Sequence, residues 1–311
     1  MRIVYMGTPE FAVPCLEMLL SESDKYNVVC VVTKPDMPKG RKYIMTPPPV
    51  KEVAQKAGIP VLQPTSVRTA EFVEELKSYE PDLFITCAYG KILPQAVLDI
   101  PKMGCINVHA SLLPAYRGSA PLWHVVINGE KETGITTMMT DIGMDTGDIL
   151  LADKFTIEEN MTMGEVHDAL SPLGAQTLKK TLEQLMSGTL ERTPQDNEKA
   201  TYSPPIDRET GKIDWSKSSR EIHNLVRGTN PFPVSYSFNE NGEKVKIWQT
   251  LVTDIKRPSN KNPGDVIESS SKGIYVVTGD GVIQIIEIQG ASGKKMKAGD
   301  YVNGHTIEKF T

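Results

Sequence analysis

Cysteine is scarce in this chain. Cys15, Cys30, Cys87 and Cys105 are far apart in apolar contexts, and no Cys-x-x-Cys or His-Glu-x-x-His pattern occurs. A disulfide framework and a protein-bound metal are therefore not expected, and the free thiols suit a reducing cytoplasm. Long hydrophobic runs are also missing. None approaches the roughly 18 apolar residues that a spanning helix needs, so no membrane partner is expected. The strand-like start Arg2-Ile3-Val4-Tyr5 is not a signal-peptide core. The first strand–helix turn reads Gly7-Thr8-Pro9 rather than Gly-x-Gly-x-x-Gly, which removes the main support for hydride transfer on a dinucleotide. Repeats and low-complexity tracts are absent.

What is present describes a packed protein. Over 311 residues, 39% are hydrophobic and 23% charged, enough for one large or two ordinary domains. The net charge is −5 but uneven: residues 206–311 hold 15 Lys/Arg against 13 Asp/Glu, leaving 19 against 26 before them. An acidic chain is not an obvious nucleic-acid binder, and the asymmetry alone is weak support for one.

The first half alternates apolar strands (Ile3–Met6, Val28–Thr33, Val61-Leu62, Leu83–Thr86, Cys105–His109, Gly134–Met139) with helical stretches (Glu10–Leu20, Val50–Ala57, Thr69–Leu76, Leu122–Ile127). That alternation predicts an α/β fold, a Rossmann-like, mostly parallel sheet with helices on both faces. Thr162 and Glu165 form a capping-box pattern for a helix running to about Met186. Residues 189–207 are polar and proline-broken and read as a linker. Beyond them a short helix, Ser219–Arg227, precedes a series of short strands (Val234–Phe238, Val245–Trp248, Gly264–Glu268, Ile274–Thr278, Val282–Ile288). Asn241-Gly242 and Asp280-Gly281 fit hairpin turns, which suggests a small β-barrel. The expected domains are 1–188 and 208–311.

Asn107-Val108-His109-Ala110-Ser111-Leu112-Leu113-Pro114 carries the chemistry. In an extended Cys105–His109, Asn107 and His109 share a face, about 7 Å apart at ~3.3 Å per residue. An amide can steady a developing oxyanion while an imidazole handles a proton. The plain alternative is a strand end with two satisfied polar side chains. Asp145, in the loop Met144-Asp145-Thr146-Gly147-Asp148, offers a carboxylate to orient the imidazole, with Asp141 and Asp148 as rivals that spacing does not exclude. His124, His167, His223 and His305 fit structural or surface positions.

Asn107–Pro114, continued by Tyr116-Arg117-Gly118-Ser119-Ala120-Pro121, resembles the signature of the folate-dependent formyltransferases, and Asp141–Asp148 resembles their second catalytic segment. The likeness runs from Met1–Pro9 to Asn230-Pro231-Phe232-Pro233, and within the superfamily it is nearest to the branch acting on methionyl-tRNA. It implies catalytic roles for Asn107, His109 and Asp145, with Asp145 favoured because it matches the family position. It further implies 10-formyltetrahydrofolate as formyl donor without a metal, initiator methionyl-tRNA as acceptor, a cytoplasmic monomer, and an oligonucleotide-binding-like C-terminal barrel that contacts tRNA. Ser111, Leu112, Leu113 and Pro114 would shape the folate site, with Ile92 and Leu93 in a second wall.

Residues 34–49 make a long strand-to-helix excursion with four positive charges and one negative. Its plain reading is a solvated loop. By the resemblance it is the insertion that engages the tRNA acceptor stem, with Arg41, Lys39 and Lys42 as phosphate contacts, Tyr43 or Ile44 near bases, and mobility until RNA binds. Lys294, Lys295 and Lys297 form a second basic cluster, more simply a solvated turn. Enzymes acting on glycinamide ribonucleotide share the signature but lack a C-terminal β domain. Sugar-nucleotide formyltransferases carry one and are the serious rival, which the basic excursion argues against. A folate-binding hydrolase and an RNA-binding module with an inert pocket are the remaining alternatives.

Overall fold

The computed structural model describes residues 1–40, 43–291 and 293–311, the side chain of Lys39 excepted. Two compact units emerge. The first combines Met1–Pro121, Glu132–Thr156 and His167–Ser203, and the second Leu122–Lys131, Ile157–Val166 and Pro204–Thr311.

The first unit is built on β1 (Arg2–Gly7), β2 (Asn27–Val32), β3 (Val61–Leu62), β4 (Leu83–Cys87), β5 (Cys105–His109), β6 (Glu132–Met139) and β7 (Ile149–Thr156), in the order β7-β6-β5-β4-β1-β2-β3. The five strands from β5 to β3 run parallel, while β6 and β7 are each antiparallel to the strand before. Both faces of the parallel strands are covered, which explains their nearly unbroken apolar sequences. Val4, Met6, Cys30, Val32 and Phe84 join Phe72, Leu76 and Val97 in one core layer. Ile3, Tyr5, Val31 and Ile85, at the alternate positions, are equally inaccessible. Helix Met163–Ser187 starts at the expected capping box: Thr162 Oγ1 accepts from the Glu165 amide and the Glu165 carboxylate accepts from the Thr162 amide.

Three features differ from the sequence expectation. β7 was not anticipated. Its alternating pattern, with Asp153 and Lys154 inside it, is that of an edge strand, where charges protect the free edge. The excursion 34–49 contains a small antiparallel hairpin, Met37–Lys39 with Ile44–Thr46. The polar stretch after Gly188 packs as far as Ser203 within the first unit: Thr193 exchanges backbone hydrogen bonds with Ile149, and Tyr202–Ser203 pairs in parallel with Arg117–Gly118.

The second unit holds antiparallel strands β8 (Ser235–Phe238), β9 (Lys244–Lys256), β10 (Val266–Ser270), β11 (Gly273–Val277), β12 (Gly281–Gln289) and β13 (Met296–Lys297). Their order is β8-β9-β12-β11-β10, with β13 beside β12. The C-terminal residues reach both edges, since Phe310 bridges to Asn239 and Lys309 to Asp265, which closes the strands into a ring. Ile222 and Val226 of helix Ser219–Gly228 pack into its core with Trp215, Ile247, Ile283 and Phe310. Ser218 and Glu221 form a reciprocal capping box at the start of that helix.

Because the Ser218 hydroxyl holds the Glu221 amide at 3.2 Å, Ser218→Ala is expected to cost the second unit about 1 kcal/mol. Urea unfolding followed by Trp fluorescence would measure it.

Candidate active site

The site forms at the carboxyl ends of β4 and β5, where open α/β sheets place their ligands. In the parallel pairing of these strands Thr86 lies beside Asn107. The Thr86 hydroxyl donates to Asn107 Oδ1 at 2.7 Å. The carboxamide is thereby oriented, and its amino group makes no hydrogen bond to a described residue, which leaves it free to donate outward. Two residues on, His109 is buried, at 6% exposure. Its Nε2 lies 3.0 Å from the Tyr116 carbonyl oxygen. A carbonyl only accepts, so Nε2 carries the proton and Nδ1 is the ring atom open to protonation. Nδ1 faces Asp145 Oδ2 at 3.7 Å, an ion-pair distance too long for a hydrogen bond.

Asp145 is the carboxylate that reaches the imidazole. Its rival Asp141 accepts from the Gly143 amide and the Thr146 hydroxyl, and so closes its own loop. The Asp145 backbone has φ +55, a left-handed conformation costing on the order of 1 kcal/mol in a non-glycine residue. Its Oδ2 accepts from the Gly118 amide at 2.8 Å. Gly118 itself, at φ +114, packs so closely on the Ser203 carbonyl that a Cβ would lie 2.8 Å from that oxygen. Gly147 is equally constrained, since a Cβ there would overlap the Met139 carbonyl.

The remaining expected residues divide. Ser111 is fully buried and its hydroxyl donates to the Ala115 carbonyl at 2.7 Å, so it braces the turn rather than pointing outward. Leu113 is buried, its amide held by Thr136 Oγ1, while Leu112 and Pro114 are half-buried. Leu93 belongs to the core with Val67 and Val97, whereas Ile92 is 57% exposed. Arg41 and Lys42 lie outside the described residues, as does the side chain of Lys39. The described part of this excursion presents Met37, Tyr43, Ile44 and Met45, all exposed large hydrophobics. Its base is anchored: Lys51 Nζ lies 2.8 and 2.9 Å from the Asp36 carboxylate oxygens, and the Gln63 amide donates to Asp36 and to the Lys34 carbonyl. In the second cluster Lys295 is ion-paired with Glu287 at 2.6 Å.

Sequence reasoning assigned no role to Thr86, Tyr116, Arg117, Gly118 or Gln195, which hold the three polar side chains in place. Tyr116–Gly118 stood inside the recognised signature, and Thr86 was visible as the polar end of an apolar strand. Nothing local marks Gln195. The four thiols are buried, and burial pushes Cys30 up to about 12 and Cys105 up to about 11, which leaves those two poor nucleophiles. Among the described residues no group of three or more His, Cys, Asp and Glu side chains could hold a metal. No helix of the described chain is long and apolar enough to cross a membrane.

An amide, an imidazole and a carboxylate converge at these strand ends, and comparison with known proteins gives the class. The formyl transferase family matches residues 1–182, and the formyl transferase C-terminal domain matches residues 205–306. The chain belongs to the formyl transferase family. It is 52% identical over 308 residues to the methionyl-tRNA formyltransferase of Ruminiclostridium cellulolyticum, covering 99% of this chain and 98% of that one. It is 47% identical to the methionyl-tRNA formyltransferase of Bacillus subtilis, covering 99% and 96%. Among solved structures, a sugar 3N-formyl transferase crystallised in the presence of dTDP and 5-N-formyl-THF has the same fold, with a TM-score of 0.68 at 21% identity over 94% of this chain and 99% of that one. HypX from Aquifex aeolicus in complex with tetrahydrofolic acid shares it too, with a TM-score of 0.62 at 17% identity over 100% of this chain and 50% of that one.

The hairpin base has a predictable acid response. The Gln63 amide and then the Lys51 ammonium hold the Asp36 carboxyl below its usual range. A carboxyl lowered on folding stabilises fully above its unfolded value, about 3.9, and loses that contribution as pH falls through the folded value. Asp36→Asn should therefore flatten the dependence of stability on pH below about 4, as read by thermal melts across that range.

Proposed function

We infer that this chain transfers the formyl group of 10-formyltetrahydrofolate to the methionyl amine of initiator methionyl-tRNA. The observation that carries the reading is the convergence of Asn107, His109 and Asp145 at the ends of β4 and β5, in a chain of this family about half identical to methionyl-tRNA formyltransferases over its length. As the amine nitrogen attacks the formyl carbon, a C–N bond forms and negative charge develops on the formyl oxygen. The free amino group of Asn107 donates to that oxygen. Its partner Thr86 fixes the carboxamide beforehand, so little reorganisation is needed. His109 accepts the amine proton at Nδ1, and Asp145 stabilises the imidazolium that results. The bond from the carbon to the folate nitrogen then breaks, and His109 returns the proton to the leaving nitrogen.

For the folate, exposed Ile92 and half-buried Leu112 and Pro114 offer apolar surface, which together with a few polar groups is the composition a pterin pocket needs. Ser111, Leu113 and Leu93 shape the walls from behind. For the RNA, Lys39, Arg41 and Lys42 supply phosphate contacts, and the exposed Tyr43 and Ile44 supply surfaces for bases. Residues 206–311, the part of the chain with positive excess, add a second tRNA surface. The protein acts in the cytoplasm as a monomer.

The test is formyl transfer from 10-formyltetrahydrofolate to methionyl-tRNA, with a 4-amino-4-deoxy-arabinose nucleotide as competing acceptor. Wild type should use the tRNA. Asn107→Ala and His109→Ala, correctly folded by circular dichroism, should each lose about 10²–10³-fold in kcat. Near-normal turnover of both variants would overturn the site, and transfer to the sugar nucleotide alone would overturn the acceptor. Arg41→Ala should raise KM for tRNA at unchanged KM for folate. An unchanged tRNA KM would remove Arg41 from the interface.

A further inference from the structure

Among the described residues Arg117 is the largest fully buried side chain, at 2% exposure. Among the described residues no carboxylate pairs with it. Its guanidinium instead donates through Nε and Nη2 to Gln195 Oε1, at 3.0 and 2.8 Å, and through Nη2 to Asn197 Oδ1 at 2.9 Å. The other end of the Gln195 amide donates to two carbonyl oxygens, Asp145 O at 2.9 Å and Gly147 O at 2.7 Å. The orientation of this amide is fixed by its neighbours, since a guanidinium offers only donors and carbonyls offer only acceptors.

The carbonyls that Gln195 grips flank Thr146, in the loop whose left-handed residue is Asp145. A conformation of that kind persists only where its surroundings over-determine it. The same Arg117 sits between Tyr116, whose carbonyl accepts from His109, and Gly118, whose amide holds the Asp145 carboxylate. The contacts therefore form a closed circuit: the backbone at 116–118 touches the side chains of His109 and Asp145, and the side chain of the middle residue returns through Gln195 to the Asp145 backbone. Gln195 falls between the two family matches, at residues 183–204.

We propose that Gln195 is a positioning residue for Asp145, clamping the Asp145 and Gly147 carbonyls so that the carboxylate stays between the Gly118 amide and His109, with Arg117 as the buried anchor of the clamp. This rests on the formyl-transfer reading above. The Gln195 amide is taken up by Arg117 and by the Asp145 and Gly147 carbonyls, so its loss is expected to act on the chemical step rather than on ground-state binding.

Gln195→Glu separates the two halves of the clamp, because a carboxylate still accepts from Arg117 but cannot donate to the carbonyls. It should keep the native circular-dichroism spectrum and lower kcat by about 10²-fold, with KM for folate and for methionyl-tRNA changed less than about threefold. Gln195→Ala, run alongside, should lower kcat in the same way and covers the case in which the carboxylate impairs folding. The decisive readout is the double-mutant cycle with Asp145→Asn. Residues acting as one unit are non-additive, so the double variants should be about as slow as Asp145→Asn alone. A folded Gln195 variant with kcat within about twofold of wild type, or losses that multiply in the double variants, would overturn the proposal. Wild type assayed in the same experiment keeps the failures apart: without wild-type transfer to methionyl-tRNA the function itself falls, and with it only the role of Gln195 is in question.

Discussion

The site depends on one meeting point, the carboxylate oxygen of Asp145 that accepts from the Gly118 amide and faces the His109 ring. Three chain segments must arrive there together: the end of β5, the turn through Gly118, and the loop between β6 and β7. Each is placed by a different force. Burial of an apolar strand on both faces sets β5, backbone pairing with Tyr202–Ser203 sets the turn, and the antiparallel β6–β7 hairpin sets the loop. No local propensity would bring these segments together, and the left-handed backbone at Asp145 shows that the loop is held against its own preference.

Legibility in the sequence followed the range of the forces involved. Strands β1, β2, β4 and β5 were readable because burial on both faces writes itself as continuous apolar sequence, and the capping box at Thr162 because it is complete within four residues. Strand β7 escaped because edge position admits Asp153 and Lys154 and breaks the apolar run. The extent of β9 escaped for a similar reason. Its outer half, Leu251 to Lys256, is largely exposed and alternates without a buried face, so only Val245–Trp248 carried a pattern.

The same distinction applies at the site. Asn107 and His109 are two apart on one strand, so their common face follows from the pleat alone. That Asp145 rather than Asp141 meets the ring is decided by tertiary contacts, and spacing could not choose between them; Asp141 turns out to serve Gly143 and Thr146. Residues 189–203 look like a linker because their polar, proline-broken composition forms no regular element. They nevertheless pack along the first unit through Thr193, Gln195 and Ser203. Composition reports the absence of a helix or strand, and says little about the absence of contacts.

The chemistry of the Arg117 anchor explains why an amide stands where a buried guanidinium would ordinarily take a carboxylate. A guanidinium in direct contact with Asp145 would fix that carboxylate firmly, but its donors would occupy the oxygens that serve Gly118 and His109, and its charge would offset the charge that stabilises an imidazolium. Gln195 avoids both effects. It accepts from the guanidinium on one side and transmits position through backbone carbonyls on the other, leaving the carboxylate itself untouched. Burying a cation against amide oxygens is less favourable than pairing it with a carboxylate. That cost falls on the framework of the fold, where packing offsets it, while the Asp145 charge stays directed at His109.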